Sequence, residues 1–365
     1  MKRAATLLDV ARHACVSKST ASRIVNRTEN RAHDPAVRER VMDAALELGY
    51  VPNAAAQRLR GRRNRTVGVI VRDVGLAANA AVLRGIREVA HGANYLMVVA
   101  DTKRWCMDEP RWVQRFHEQR VELVVIAASG VDDTDYTGAM AEAVGAFEAD
   151  GGRVVVIGRH DLDVASIRVD NVRGAYDLAT SMLAMGHRRF GVIGGNGKLT
   201  LNRDRLSGVR AALADGGIDL DRDVMYLEGA FTREHGNAAA RHLTMQKKPP
   251  TAIVGLSDDL ALGAYRALRE QNLAVPRDVS LGGIDDLAPA RALQPALTTV
   301  SYRHLEIGAR AMRAALDPYL GHDAVEVHYE LALRETVAAP REQRTHRSRS
   351  RSSRRTDEAC ATPRR

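Results

Sequence analysis

The chain has 365 residues, too many for one ordinary core, and implies two or three domains. It carries 54 Lys and Arg against 45 Asp and Glu, a formal net charge of +9. No apolar run reaches the length of a membrane span and the N-terminus has no apolar signal segment, so a cytoplasmic protein is expected. Cys15, Cys106 and Cys360 are widely spaced, with neither a metal-ligand pattern nor an even framework; no metal and no cofactor is expected.

The charge is unevenly spread. Residues 1–66 hold 14 Lys and Arg against 6 Asp and Glu, residues 341–365 hold 9 against 3, and residues 67–340 hold 31 against 36. A basic head on a mildly acidic body is the pattern of a protein in which only the head meets a polyanion.

In chain order, Thr6 is a helix cap with Asp9 three residues on, and Leu7, Val10, Ala11 and Ala14 repeat at helical spacing. Cys15-Val16-Ser17 interrupts the pattern, and Ser17 caps a second short helix, Lys18–Val25, with apolar Ala21, Ile24 and Val25. Two short helices across a tight turn predict a helix-turn-helix. The second helix presents Lys18, Ser19, Thr20, Ser22 and Arg23, donors suited to phosphates and base edges in a major groove. Asp34-Pro35 starts a third helix with Val37, Val41, Ala44, Ala45 and Leu48 on one face, ended by Gly49. Asn53 caps Ala54–Leu59, too short to be a stable helix alone, and a basic linker follows.

From Thr66 the pattern changes to alternating strands and helices. Strands are predicted at Val67–Val71, Tyr95–Ala100, Leu123–Ala127, Val154–Ile157, Phe190–Ile193, Ala252–Gly255 and Ser280–Gly283, and helices near Ala80–Gly92, Trp112–Gln119, Ala175–Met185, Asp204–Ala214, Glu234–Leu243 and Asp259–Gln271. This alternation predicts α/β architecture, parallel sheets with helices on both faces. Ligand sites in such sheets lie at the carboxyl ends of strands. Asp73, Ser257-Asp258-Asp259 and Asp285-Asp286 fall there. Residues 339–365, with THRSRSRSSRR, have no apolar periodicity and read as a basic disordered tail, a solvated segment first of all, with sequence-independent attraction to DNA as the alternative role.

LLDVARHACVSKSTASRIVN followed by LGYVPNAAAQRLRG resembles the DNA-binding headpiece of the lactose-repressor (LacI/GalR) family of bacterial transcription regulators, and the similarity continues to about residue 336. The resemblance implies a headpiece at 1–52, a hinge helix and linker at 53–65, and a core at 66–338. That core is periplasmic-binding-protein-like, with two doubly wound parallel-sheet subdomains: the first about 66–169 and 295–324, the second about 170–294 and 325–338, joined by three crossovers. It implies a homodimer on palindromic operator DNA. Lys18 and Ser19 would choose bases, with Thr20, Ser22 and Arg23 at the usual base and phosphate positions and Arg23 suited to a guanine. Thr6, Asn26, Tyr50 and Asn53 would hold the backbone. Ala56, Leu59 and Arg60 belong to the hinge helix, with Leu59 wedged into the central minor-groove step. In the core, Asp73, Arg205, Phe231, Ser257 and Asp285 match effector-binding positions, the effector being a sugar or sugar derivative.

The departures from the family pattern matter. Cys15 stands where glycine is usual in the turn; a positive φ there would cost cysteine about 1 kcal/mol, and a small buried side chain is expected. Ser257 replaces the usual Asn, Gly158 a common acid, and the loop after Asp73 has no aromatic ring, which predicts a pocket of smaller polar reach. Enzyme readings find little. Gly191–Gly197 matches no nucleotide fingerprint, and there is no Gly-Xaa-Ser-Xaa-Gly or His-Glu-Xaa-Xaa-His. The alternative within regulation is a core that is vestigial or takes a protein partner.

Overall fold

The computed structural model describes residues 5–25, 34–50, 64–103 and 106–341. The expected hinge helix and the Arg/Ser-rich stretch from residue 342 lie outside the described residues. The chain divides into two compact units, Met1–Asn64 and Arg65–Arg365.

The first unit contains α1 (Leu7–His13), α2 (Lys18–Val25) and α3 (Pro35–Glu47). Thr6 and Asp9 close a reciprocal capping box at the start of α1. Ser17 Oγ accepts the Thr20 amide at 3.0 Å, and Asp34 Oδ1 accepts the Ala36 amide at 2.9 Å ahead of Pro35. Val10, Ala11, Ala14, Ala21, Ile24, Val41, Ala44 and Ala45 form the core. Five of these eight are alanines, so the apolar area removed from water is small and the headpiece is only modestly stable.

Cys15, expected to be buried, is exposed, with φ +54°. The turn explains this: the Val16 amide reaches back to Ala11 O at 2.9 Å, and Val16 packs on the core in its place.

The second unit begins with β1 (Asn64–Val71), α4 (Ala77–Gly92), β2 (Leu96–Asp101), α5 (Glu109–Glu118), β3 (Val121–Ile126), α6 (Thr134–Ala149), β4 (Arg153–Ile157) and β5 (Ala165–Val169). It continues with α7 (Asn171–Ala184), β6 (Phe190–Ile193), α8 (Thr200–Asp215), α9 (Leu220–Asp223), β7 (Met225–Leu227), α10 (Arg233–Thr244), β8 (Ala252–Gly255), α11 (Asp258–Glu270), β9 (Ser280–Ile284) and α12 (Ala288–Arg291). Last come β10 (Thr298–Ser301), α13 (His304–Leu316), β11 (Ala324–Val327) and β12 (Glu330–Ala332). Two six-stranded sheets result, ordered β11-β5-β4-β3-β1-β2 and β12-β10-β9-β8-β6-β7. β12 runs antiparallel to β10, whereas β1–β2, β3–β4–β5–β11 and β7–β6–β8–β9–β10 pair in parallel. Interior strands such as Val124–Ile126 and Ile253–Val254 are fully buried apolar runs, as parallel sheets covered on both faces require.

The expected subdomain boundaries need correction. Residues 295–324 do not all return to the first subdomain: β10 belongs to the second sheet, where Thr298–Val300 register with Gly282–Ile284 of β9. Residues 325–338 do not all lie in the second subdomain: β11 adds to the first sheet, with Ala324–Val327 against Ser166–Val169, and β12 alone completes the second. Helix α13 is held to the first subdomain by close backbone approach to α4. A Cβ at Gly85 would lie 2.0 Å from Leu305 O, and one at Gly308 would lie 2.0 Å from Val82 O. The chain therefore crosses between sheets after β5, where the first crossover was expected, and after β10 and β11, later than the second and third were expected.

Candidate DNA-binding helix and candidate effector cleft

Within α2, Ala21 and Ile24 face the headpiece core, which leaves Lys18, Ser19 and Arg23 exposed and Thr20 and Ser22 half-buried. The Ser17 hydroxyl lies 2.7 Å from Ser19 Oγ and 2.8 Å from Thr20 Oγ1, so these hydroxyls are already oriented by the cap. Arg23 Nε donates to Ser19 O at 3.4 Å. A polar helix face preset in this way meets the needs of groove recognition, because little side-chain freedom remains to be lost. Thr6 is engaged differently: both its amide and its hydroxyl turn to Asp9, at 2.9 and 2.6 Å. Tyr50 packs on the headpiece core. Asn26, Asn53, Ala56, Leu59 and Arg60 lie outside the described residues.

In the core, the carboxyl ends of the strands bring three of the five expected effector residues toward one region. Arg205, on α8, is 5% exposed, and Asp285, following β9, is 8% exposed. Arg205 Nη2 donates to Asp285 Oδ1 at 2.8 Å, Nε to Asn171 Oδ1 at 2.9 Å, and Nη1 to Leu256 O at 2.7 Å. Its guanidinium sits 5.4 Å from the Tyr302 ring centroid, and His304 Nε2 lies 3.4 Å from Asp285 Oδ1. Burial opposes the Asp285 charge, but Arg205 and His304 outweigh it and hold its carboxyl below the ordinary value. Ser257, the third, caps α11 with its hydroxyl, which accepts the Leu260 amide at 3.3 Å and keeps its own proton to donate. Phe231 packs flat against Gly195, where a Cβ would lie 2.1 Å from the ring. Asp73 shapes the loop into α4, accepting the Gly75 amide at 2.8 Å while its carbonyl accepts Asn79 Nδ2 at 2.8 Å.

Sequence reasoning placed Asp258 at this strand end without giving it a role, and missed Asn171, Tyr302 and His304. Asp258 is fully buried, with Oδ2 accepting the Leu287 amide at 2.7 Å and Oδ1 accepting Thr299 Oγ1 at 2.6 Å, so it positions the loop that carries Asp285. Burial, reinforced by the charge of Asp285, raises its carboxyl to about 7. Asn171, Tyr302 and His304 stand just after β5 and β10, two strands that sequence periodicity did not reveal.

The first sheet supplies a second polar wall, larger than the sequence suggested. Arg72 follows β1, Ser129 follows β3 and His160 follows β4. Arg72 Nε donates to Glu109 Oε1 at 2.7 Å, Nη2 to Glu109 Oε2 at 3.4 Å, and Nη1 to Ser129 Oγ at 3.3 Å; Tyr136 donates its hydroxyl to Glu109 Oε2 at 2.6 Å. Glu109 is fully buried, and burial raises its pKa against the pull of Arg72. His160 donates to Ala128 O at 2.7 Å, and burial lowers its pKa to about 4, so its imidazole is neutral at pH 7.

A clasp joins the two subdomains beside this wall. Val131 and Leu199 form an antiparallel bridge flanked by Asp132 N to Lys198 O at 2.8 Å and Thr200 N to Gly130 O at 3.0 Å. Thr200 Oγ1 also donates to Arg159 O at 3.0 Å. Ion pairs Arg159–Asp204, Lys198–Asp133 and Arg203–Asp132 surround it. Among the described residues, no His, Cys, Asp and Glu cluster could hold a metal ion, and no helix is long and apolar enough to cross a membrane.

A basic helix-turn-helix unit followed by a core of two parallel sheets with a polar cleft defines a DNA-binding regulator with a periplasmic-binding-protein-like core. Comparison with known proteins agrees. Residues 6–53 match the family described as bacterial regulatory proteins, lacI family, and residues 179–337 match the periplasmic binding protein-like domain. The chain is 30% identical to the HTH-type transcriptional regulator RegA of Clostridium saccharobutylicum, over 85% of this chain and 91% of RegA. It is also 30% identical to the ribose operon repressor of Haemophilus influenzae, over 86% of this chain and 91% of that repressor. Its structure is similar to that of the lac repressor dimer bound to operator and the anti-inducer ONPF, with TM-score 0.80 and 25% identity, covering 92% of this chain and 100% of that one. The chain belongs to the LacI family of bacterial regulatory proteins, and these relatives are transcriptional regulators, not enzymes.

Proposed function

We propose that this regulator is a cytoplasmic homodimeric repressor of palindromic operator DNA, and that a small metabolite, a sugar or sugar derivative, binds between the core subdomains and modulates its DNA affinity. The observation that carries the effector half is the Arg205–Asp285 pair, a buried donor–acceptor couple at the carboxyl ends of the second sheet, contacted by Asn171 from beyond β5 of the first. A guanidinium beside a carboxylate matches adjacent hydroxyls, one donating and one accepting. Dimerisation is supported by the edge strand β2, where Leu96, Val98 and Val99 are 66%, 40% and 38% exposed. An exposed apolar edge strand is a liability unless covered, and a second copy is the proposed cover.

Operator reading is assigned to Lys18, Ser19, Thr20, Ser22 and Arg23, with support from Thr6, Asn26, Tyr50, Asn53, Ala56, Leu59 and Arg60. The test is a binding selection on random duplexes, followed by the same selection with Lys18 and Ser19 exchanged for other residues. A changed preferred operator supports the assignment; an unchanged one refutes it. Sedimentation tests the dimer, with a monomeric full-length chain as the refuting result.

A second reading has one observation in its favour. Arg205 and Asp285 take up each other's charge, and main-chain bonds of the clasp tie the subdomains directly, as suits a core that serves as a scaffold. A thermal-shift screen separates the two, because a ligand of the folded state raises the melting temperature by mass action.

A further inference from the structure

We propose that the first-subdomain wall of the cleft, built on Arg72 and Ser129, is a subsite for an oxyanion, so that the effector is an acidic small molecule carrying a carboxylate or phosphate beside its hydroxyls. The inference rests on the effector reading above and names the chemistry of the same cleft.

Topology places the wall. Arg72, Ser129 and His160 follow adjacent strands of a parallel sheet, β1, β3 and β4, at the end where such sheets bind ligands. The clasp fixes which way that end faces: Gly130, next to Ser129, accepts the Thr200 amide, and Arg159, next to His160, accepts the Thr200 hydroxyl and pairs with Asp204. The carboxyl ends of the first sheet therefore look onto those of the second.

The guanidinium geometry supplies the chemistry. A guanidinium has two edges that can grip a pair of oxygens, the side edge of Nε and Nη2 and the end edge of Nη1 and Nη2. Glu109 takes the side edge, at 2.7 and 3.4 Å. The Glu109 carboxylate is itself held from behind by Tyr136, which fixes the plane of Arg72. Among the described residues, the end edge meets no protein acceptor besides Ser129 Oγ at 3.3 Å on Nη1. Arg72 is 9% exposed, so little water is available to satisfy those N–H groups. A planar pair of oxygens with negative charge fits the open edge best, and beside it lies the Ser129 hydroxyl, which accepts from Nη1 and donates a long bond, 3.4 Å, to Gly130 O that an anion can replace. Gly158 keeps the space beside Ser129 free of a side chain: the nearest atom to a Cβ there is Ser129 Cα, at 3.7 Å. His160 stays neutral and donates to Ala128 O, so it brings no charge of its own to the Arg72 edge.

The experiment is a thermal-shift and calorimetric titration of the full-length chain against matched triplets: a neutral pentose or hexose, its uronic or aldonic acid, and its phosphate ester. Inorganic phosphate and sulfate at equal ionic strength control for general anion effects on the basic headpiece. The expected result is an acidic member binding at least tenfold more tightly than its neutral parent, with carboxylate and phosphate arms showing which source is preferred. Ser129→Ala, which leaves the buried Arg72–Glu109 pair in place, should weaken the acidic member several-fold. The paired variant Arg72→Met with Glu109→Gln, which avoids an orphaned charge, should reduce it to the level of the neutral parent. A neutral parent that binds as tightly as its acids overturns the oxyanion subsite while the effector reading stands. An acidic preference unchanged in both variants overturns it as well, and no shift with any triplet removes both.

Discussion

The amide of Thr200 donates to the carbonyl of Gly130 at 3.0 Å, a main-chain bond from one subdomain to the other. Thr200 is the first residue of α8, a position where proline is tolerated, and Leu199 before it has φ −78° and ψ 126°, a conformation that proline accepts in its predecessor. Thr200→Pro should therefore keep the helix while removing two inter-subdomain hydrogen bonds. The expected loss is about 1–3 kcal/mol of core stability. Hydrogen exchange of the Asp132 amide, the neighbouring donor across the clasp, should accelerate; unchanged exchange there would mean that the clasp is not cooperative.

Arg205 and Asp285 test the buried pair. Arg205→Met leaves a charged carboxylate without its main partner and should destabilise the core by about 3–5 kcal/mol. Adding Asp285→Leu removes the orphan charge, so the double variant should unfold at a denaturant concentration closer to the wild type than the sum of the single effects allows. Strict additivity would contradict the pairing.

Asp258 predicts a pH dependence. Its folded value of about 7 lies above the ordinary carboxylate value of 3.8, so across that window the folded state keeps a proton that the unfolded chain has lost. The contribution is complete below the unfolded value and disappears as pH rises through about 7. The melting temperature of the wild type should thus fall relative to that of Asp258→Asn between about pH 5 and about pH 8. The amide retains one acceptor for Leu287 N and one donor for Thr299 Oγ1. Parallel melting curves against pH would count against the buried acid.

Cys15 has φ +54°, in the region where glycine loses nothing. Cys15→Gly should stabilise the headpiece by about 1 kcal/mol, visible as a higher melting point of the headpiece transition, with operator affinity retained. A destabilised headpiece would show that the thiol makes a contact that outweighs the backbone strain.

Much of this was legible in the sequence. The Thr6 cap, the Ser17 cap, the Asp34-Pro35 start and the Gly49 stop were all read correctly, because caps and proline act locally; that Asp9 bonds back to Thr6 came only with the structure. Strands Phe190–Ile193 and Ala252–Gly255 emerged with the expected bounds, because buried parallel strands are continuous apolar runs. Helix α6 escaped: it starts at Thr134 after the cap Asp133 and contains Gly138 and Gly145, which blur its periodicity. β10 escaped because its residues Thr298 and Thr299 read as polar. They are buried only because Asp258 and Thr336, distant in sequence, bond to them. The same limit hid Arg72. Its role depends on Glu109 and Ser129, which only the folded sheet brings to it.

The central claim is that occupancy of the cleft changes DNA affinity. The most direct measurement is the dissociation constant of the full-length chain for its selected palindrome, at fixed salt, with and without the ligand that raises its melting temperature, in the wild type and in the double variant Arg205→Met with Asp285→Leu, which leaves no orphaned charge. The account predicts about a 5–150-fold change in the wild type and none in the variant, whose operator affinity without ligand persists. Equal affinity with and without bound ligand in the wild type would contradict it.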